Sequence, residues 1–143
     1  MKIPIDFKTS EEAVSIIQPG NRVYVHGSAQ TPVCLLQELA KQAKRLQNVE
    51  LVFISVYGDI EIAKPEYTGS FHINSLFVSA SVRLAVKEGL ADYVPVFLSE
   101  IPELFKRNIL GIDVAIVQVS PPDKHGYCSL GVSVDIARSA VNT

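Results

Sequence analysis

Residues 113 to 119, DVAIVQV, constrain the fold more than any other stretch of the chain. The run is almost wholly apolar, rich in β-branched side chains, and bounded by Gly111 and Pro121. That is the pattern of a strand covered on both faces, which parallel sheets with helices on either side require. Two earlier runs, RVYVH at 22 to 26 and VELVFIS at 49 to 55, have the same character. FHINSLFV at 71 to 78 mixes apolar and polar positions, as a strand with one polar face would, and YVPVFL at 93 to 98 adds another. Pro95 has no amide hydrogen, so this last strand is expected at a sheet edge or bulge.

Helical signals alternate with these runs. Thr9-Ser10-Glu11-Glu12 has the capping-box form and predicts a short helix to about Ile17. Thr31 as N-cap and Pro32 at the first helical position predict a second helix, with Val33, Leu36, Leu39, Ala40, Ala43 and Leu46 on its inner face. A third is expected from Ser81 to Glu88, ending at Gly89, and a fourth from a Ser99 cap through Arg107, with Ile101, Leu104 and Phe105 inward. Asp135 is expected to cap a final helix, and YCSLGVSV at 127 to 134 to pair locally as a hairpin. The alternation predicts one α/β domain over residues 1–143: an open, mainly parallel sheet flanked by helices. The chain ends inside the last helical pattern, at Val141-Asn142-Thr143, which reads as truncation.

With 143 residues, 48 % of them hydrophobic, the chain has material for a sizeable core. Its 13 basic and 15 acidic residues give a net charge of −2, which argues for neither nucleic acid nor an anionic membrane as partner. Lys41, Lys44 and Arg45 read as a solvated helix face complementing a C-terminal dipole. Cys34 and Cys128 have neither metal-ligand nor disulfide-framework spacing, so no metal is expected and a reducing, cytoplasmic setting fits best. The start, MKIPIDFKTSEEA, lacks an apolar leader core, and no run of about 18 apolar residues occurs.

Open parallel sheets gather ligands at the carboxyl ends of their strands. Four segments are expected on that rim: HGSAQTP at 26 to 32, SVYGD at 55 to 59, LSEIP at 98 to 102, and QVSPPDKHGY at 118 to 127. The last, with two consecutive prolines and Gly126 and Gly131, is too rigid and polar for a mere connection. HGSAQTP is neither a P-loop nor a dinucleotide fingerprint and reads equally as a plain strand-to-helix turn. His26 and His72 read as structural, and Cys128 as a small buried packing residue. His125 is the one histidine with a carboxylate, Asp123, near it in sequence. Glu100 suits the first turn of a helix. Val56 to Ser70, punctuated by Gly58, Pro65 and Gly69, is expected to be a long functional loop.

Taken together, Gly20 to Pro32 (GNRVYVHGSAQTP), Ala91 to Pro102, and the run from Asn74 to Asn142 that contains VSPPDKHGYCSLG resemble the amino-terminal domain of the acetyl-CoA hydrolase/transferase family. This family includes the 4-hydroxybutyrate and acetate CoA-transferases. Ile54 to Ser70, ISVYGDIEIAKPEYTGS, departs from the family pattern. The resemblance implies a two-domain enzyme with its site in the cleft between α/β halves. It implies CoA transfer between acyl-CoA, acetyl-CoA for preference, and a small carboxylic acid, through a glutamyl-CoA thioester whose glutamate belongs to the carboxyl-terminal domain. CoA and acyl-CoA enter as substrates, and no bound cofactor is implied. No catalytic residue is carried over to this chain. Its implied contribution is a substrate-binding wall: Gly27, Ser28, Ala29, Thr31 and Pro32, then Gln118, Ser120, Pro121, Pro122, Gly126 and Tyr127. Implied partners are the carboxyl-terminal domain, in the same or a separate chain, and further copies in a homo-oligomer. Acyl-CoA hydrolysis and a non-catalytic acyl- or nucleotide-binding module are the competing readings.

Overall fold

The computed structural model describes residues 7–143; the amino-terminal stretch read above for a leader falls partly outside them. Five strands form one sheet: β1 (Arg22–Val25), β2 (Val49–Phe53), β3 (Phe71–Ser75), β4 (Ala91–Tyr93) and β5 (Val114–Ile116). Their order is β4-β3-β2-β1-β5, and every pairing is parallel. The α/β class and the parallel sheet are therefore as the apolar runs demand.

Register divides the side chains between two faces. Val23, Leu51 and Ile73 align across β1, β2 and β3, and Val25, Phe53 and Ile116 belong to the same layer. They pack under α1 (Ser10–Val14), α2 (Val33–Lys41) and α3 (Arg83–Lys87) through Val14, Leu36, Leu39, Ala40 and Ala85. Tyr24 and Val52 point to the other face and meet Ile101 and Phe105 of α4 (Ile101–Lys106) and Ala137 and Ala140 of α5 (Ala137–Val141). The Tyr24 and Phe105 rings meet edge to face at 6.2 Å. Below this layer the sheet face is polar: Arg22 Nε lies 2.7 Å from Glu50, which also accepts from Asn74 Nδ2 at 2.9 Å.

The chain steps β1, β2, β3, β4 in one direction, then crosses to the far side of β1 for β5. The run DVAIVQV thus forms an edge, with Val114 and Ala115 only partly covered. Pro95 lies just beyond β4, at the opposite edge; the strand occupies 91–93 rather than 93–98, and Val94 N makes a further bond to β3, to Ser75 O at 3.0 Å.

Local signals held unevenly. The capping box is complete, with Glu12 N donating to Thr9 Oγ1 and Thr9 N to the Glu12 carboxylate, and the backbone amide of Thr9 holds that carboxyl below its ordinary range. Helix α1 stops at Val14, short of Ile17. Arg45 does complement a helix C-terminus, but that of α1, donating to the Val14 and Ile17 carbonyls at 2.8 and 2.6 Å. Thr31 does not cap α2: Pro32 holds the cap position, and the Thr31 hydroxyl is committed elsewhere. Val33 is exposed because α2 begins there and turns its first residue outward. Glu100, not Ser99, occupies the α4 cap, without a side-chain bond. Gly89 ends α3 at φ +73. Residues 56–70 form two 3-10 turns, Glu61–Ala63 and Pro65–Tyr67, that bury Ile60 and Ile62. No described helix is long and apolar enough to cross a membrane.

Candidate functional site

Strand order reverses between β1 and β5, and the connections leaving them diverge to opposite faces of the sheet, the position at which open α/β sheets gather ligands. The segments leaving these two strands are those singled out by composition, residues 26–32 and 117–134.

His26 joins them. It is fully buried, its amide donates to Ile116 O at 2.9 Å, and its ring Nε2 lies 2.7 Å from Ser133 O. Nδ1 accepts from the Gln118 amide at 3.3 Å. A carbonyl on one side and an N–H on the other fix the tautomer: Nε2 carries the proton and Nδ1 the lone pair. Both ring nitrogens are thereby used in holding the second segment, as a structural histidine would use them. Further ties run from Ala29 N to Ser133 Oγ at 3.2 Å and from the Tyr24 hydroxyl to the Asp135 carboxylate at 3.3 Å. Gly131, at φ +75, lies so close to the Gln30 carboxamide that a Cβ there would overlap it.

The first segment is also tied to β2. Gly27 approaches Ser55 closely, Ser28 N donates to Ser55 O at 2.7 Å, and Ser28 bridges Val56 in a local parallel pair. Ser28 takes a left-handed φ of 53° in doing so. The Thr31 hydroxyl donates to Ser28 O at 2.7 Å and accepts from Tyr57 N at 3.0 Å, which explains why it is not free to cap α2. Gly27, Ser28, Ala29, Thr31 and Pro32 therefore form one rigid bend between β1 and β2.

Of the second set, Gln118 meets this bend through His26 and Ser120 closes a loop base, its amide donating to Ser129 O at 3.0 Å and its hydroxyl accepting from Ser129 N at 2.9 Å. Pro121, Pro122, Gly126 and Tyr127 form a turn closed on itself; Asp123 accepts from the amides of His125 and Tyr127, and Gly126 takes φ +87. Tyr127 is 75 % exposed, and among the described residues no hydrogen bond connects this tip to the first bend. The pairing expected over 127–134 is confined to the contacts of Ser120 with Ser129 and Asp123 with Tyr127, and no strand forms.

Three expectations need correction. Cys128 is exposed, because the tip stands off the core. The Asp123 carboxylate serves backbone amides, and the histidine that meets a carboxylate is His72, 2.9 Å from Asp92 of the neighbouring strand. Asp135 does not cap α5; at φ +31 it precedes Ile136, and its carboxylate receives the Ile136 amide and the Tyr24 hydroxyl. Ser133 carries no local signal, since its partners His26 and Ala29 lie 107 and 104 residues away in the chain; Gln30 and Ser55 fall within rim segments, but their contacts with Gly131 and Ser28 are not visible there. LSEIP, the third rim segment, has no described hydrogen bond to either bend.

Burial, chiefly, and the Asp135 carboxylate push the Tyr24 phenol well above its ordinary value. The folded state therefore keeps a proton that an unfolded tyrosine releases above about pH 10. Stability from this group is full below that pH and declines as pH rises past it. Ultraviolet titration is expected to show Tyr24 ionising only with unfolding, and Tyr24→Phe is expected to shift the alkaline unfolding limb to higher pH.

The amino-terminal domain of the acetyl-CoA hydrolase/transferase family matches residues 4–143. The chain is 43 % identical over 133 residues to the succinyl-CoA:acetate/propanoyl-CoA:succinate CoA transferase of Fasciola hepatica, covering 92 % of this chain and 27 % of that protein. It is 42 % identical over 135 residues to the 4-hydroxybutyrate coenzyme A transferase of Clostridium kluyveri, covering 94 % of this chain and 32 % of the relative. The crystal structure of RipA from Yersinia pestis superposes with a TM-score of 0.80 at 34 % identity, over 93 % of this chain and 34 % of that one. The chain spans about a third of the length of these relatives. It belongs to the acetyl-CoA hydrolase/transferase family and matches its amino-terminal domain.

Proposed function

We propose that residues 1–143 form the amino-terminal α/β domain of a CoA-transferase, contributing one wall of a cleft in which CoA passes from an acyl-CoA to a small carboxylic acid. The observation that carries this reading is the union, through His26, of the bends after β1 and β5 at the point where strand order reverses. Gly27, Ser28, Ala29, Thr31, Pro32, Gln118 and Ser120 would line that wall, with Pro121, Pro122, Gly126 and Tyr127 as a projecting lip over the acyl group. Both bends are held by backbone hydrogen bonds and so present a fixed shape to a thioester, which is what positioning requires.

The bond-breaking group lies elsewhere in this reading. A glutamate of a carboxyl-terminal domain, in the same polypeptide or a separate one, attacks the thioester and carries CoA as a glutamyl thioester until a carboxylate resolves it. CoA is substrate rather than resident cofactor, the working assembly includes further copies, and the setting is cytoplasmic. Transfer is favoured over hydrolysis because the two relatives compared above are both named as CoA transferases.

The test is mass spectrometry of CoA thioesters. Incubated with acetyl-CoA and 4-hydroxybutyrate, this chain alone is expected to form no new thioester. Joined to the remaining two thirds of the Clostridium kluyveri relative, it is expected to form 4-hydroxybutyryl-CoA. Turnover by the chain alone would place the nucleophile among its own side chains, and an inactive but folded fusion would refute the proposed wall.

A further inference from the structure

Residues 57–64 lie beside the first bend and wall a cavity of about 350 Å³ against the first two turns of α2. The Tyr57 amide donates to the Thr31 hydroxyl at 3.0 Å, and Pro32 runs directly into Val33, so both walls are anchored at that bend. The outer wall has a fixed backbone. Ser81 Oγ donates to Val56 O at 2.7 Å, and the first 3-10 turn closes with Ala63 N on Ile60 O and Lys64 N on Glu61 O, at 3.0 and 3.1 Å. A concave space of this size in a preformed frame has the dimensions of a small-ligand site.

Sequence alternation sorts its lining. Along Asp59-Ile60-Glu61-Ile62 the two isoleucines turn inward and are buried, while the two carboxylates stay exposed. From α2, Val33, Leu36 and Gln37, spaced i, i+3 and i+4, share the helix face that looks into the cavity. The floor is therefore apolar, and the mouth carries Asp59 and Glu61 against a single cation, Lys64. Among the described residues, no ion pair or side-chain hydrogen bond engages any of these three charges. Val33 is 49 % exposed and Tyr57 62 % exposed, apolar surface that a chain entering the cavity would cover.

Resting on the reading of this chain as one wall of a CoA-transferase cleft, we infer that this cavity takes the acyl chain of the thioester and selects short uncharged chains. Asp59 and Glu61 reject an acyl group that ends in a carboxylate. Each methylene buried on the floor is worth about a fourfold gain in affinity. A distal carboxylate would instead lose hydration and meet a mouth whose carboxylates outnumber its cation, so burial and repulsion act in the same direction. Lys64 alone does not reverse that balance.

The test uses N-acetylcysteamine thioesters, which present the acyl chain without the nucleotide, titrated into the isotope-labelled chain and followed by heteronuclear NMR. The S-butyryl thioester is expected to shift the amides of Val33, Gln37, Tyr57 and Ile62 along one saturating curve. The S-succinyl thioester, of equal carbon count but negatively charged, is expected to bind at least about 10-fold more weakly at low ionic strength, a gap that narrows as salt is added. In the variant Asp59→Asn/Glu61→Gln, whose altered side chains are exposed and unpartnered, the two are expected to bind within about twofold of each other. Absence of saturable shifts at the cavity would overturn the inference, as would equal binding of both thioesters by the unaltered chain. A difference that survives in the double variant would overturn the role of the two carboxylates. The same variant placed in the Clostridium kluyveri fusion is expected to raise kcat/KM for succinyl-CoA about 10-fold and to leave that for butyryl-CoA unchanged. A fusion that transfers no CoA, built from a chain that gives the expected titration, would refute the cleft wall and leave the acyl cavity standing.

Discussion

His26→Ala is expected to destabilise the chain by about 3 kcal/mol and to release residues 117–135 from the sheet, measured by urea unfolding and by the rate of limited proteolysis within that segment. The imidazole is fully buried and serves two groups from different parts of the segment, Ser133 O and the Gln118 amide. Truncation leaves a part-buried acceptor and a part-buried donor without partners and opens a cavity the size of a ring. Glutamine is not expected to restore the wild-type value, since a carboxamide cannot set a donor and an acceptor at opposite ends of a rigid ring. Equal stability and equal proteolysis in the alanine variant would show that the ring does not hold the segment. The proposed cleft wall would then lose its fixed geometry.

Gly27→Ala is expected to cost about 2–3 kcal/mol in the same unfolding assay. A Cβ at this position would stand 2.5 Å from Ser55 O, a backbone atom that cannot swing aside as a side chain would. Moving it would lengthen the 2.7 Å bond from Ser28 N and break the local pairing of Ser28 with Val56. Gly69→Ala supplies the control: nothing lies within 4 Å of its Cβ position and its φ is not in the left-handed region, so little change is expected. If both substitutions prove equally mild, β1 and β2 are not locked together at the rim as described.

Much of the architecture was legible because its signals are local or periodic. The apolar runs at β1, β2 and β5 announce a parallel sheet, Thr9 and Glu12 announce a cap, and Pro95 announces an edge. What escaped were matters of placement. DVAIVQV reads as a strand covered on both faces, yet it forms an edge, because hydrophobicity reports what a strand prefers to touch, not which neighbours the rest of the chain provides. Thr31 has the composition of a cap, yet its hydroxyl is drawn to Ser28 and Tyr57, partners visible only after β2 is laid beside β1. Cys128 has the type of a buried residue and stands in the open because Asp123 folds its neighbours into a free turn. At the candidate site the glycines and prolines mark where the backbone bends, while Ser55, Gln30 and Ser133 are ordinary residues made important by contact. For the same reason Asp123 and His125, two positions apart in sequence, do not pair through their side chains, whereas His72 and Asp92 do across two strands.

The placement of β5 beside β1 also affects how the chain is made. During synthesis β1 through β4 leave the ribosome first and can assemble with α1, α2 and α3, because their partners are near in sequence. Tyr24 and Val52 must wait on a bare surface for α4 and α5, and β1 for a neighbour that begins 92 positions after its own first residue, Arg22 against Val114. Nascent chains released before residue 101 would therefore display a sticky apolar sheet face, making this interval the one in which a holding chaperone matters most.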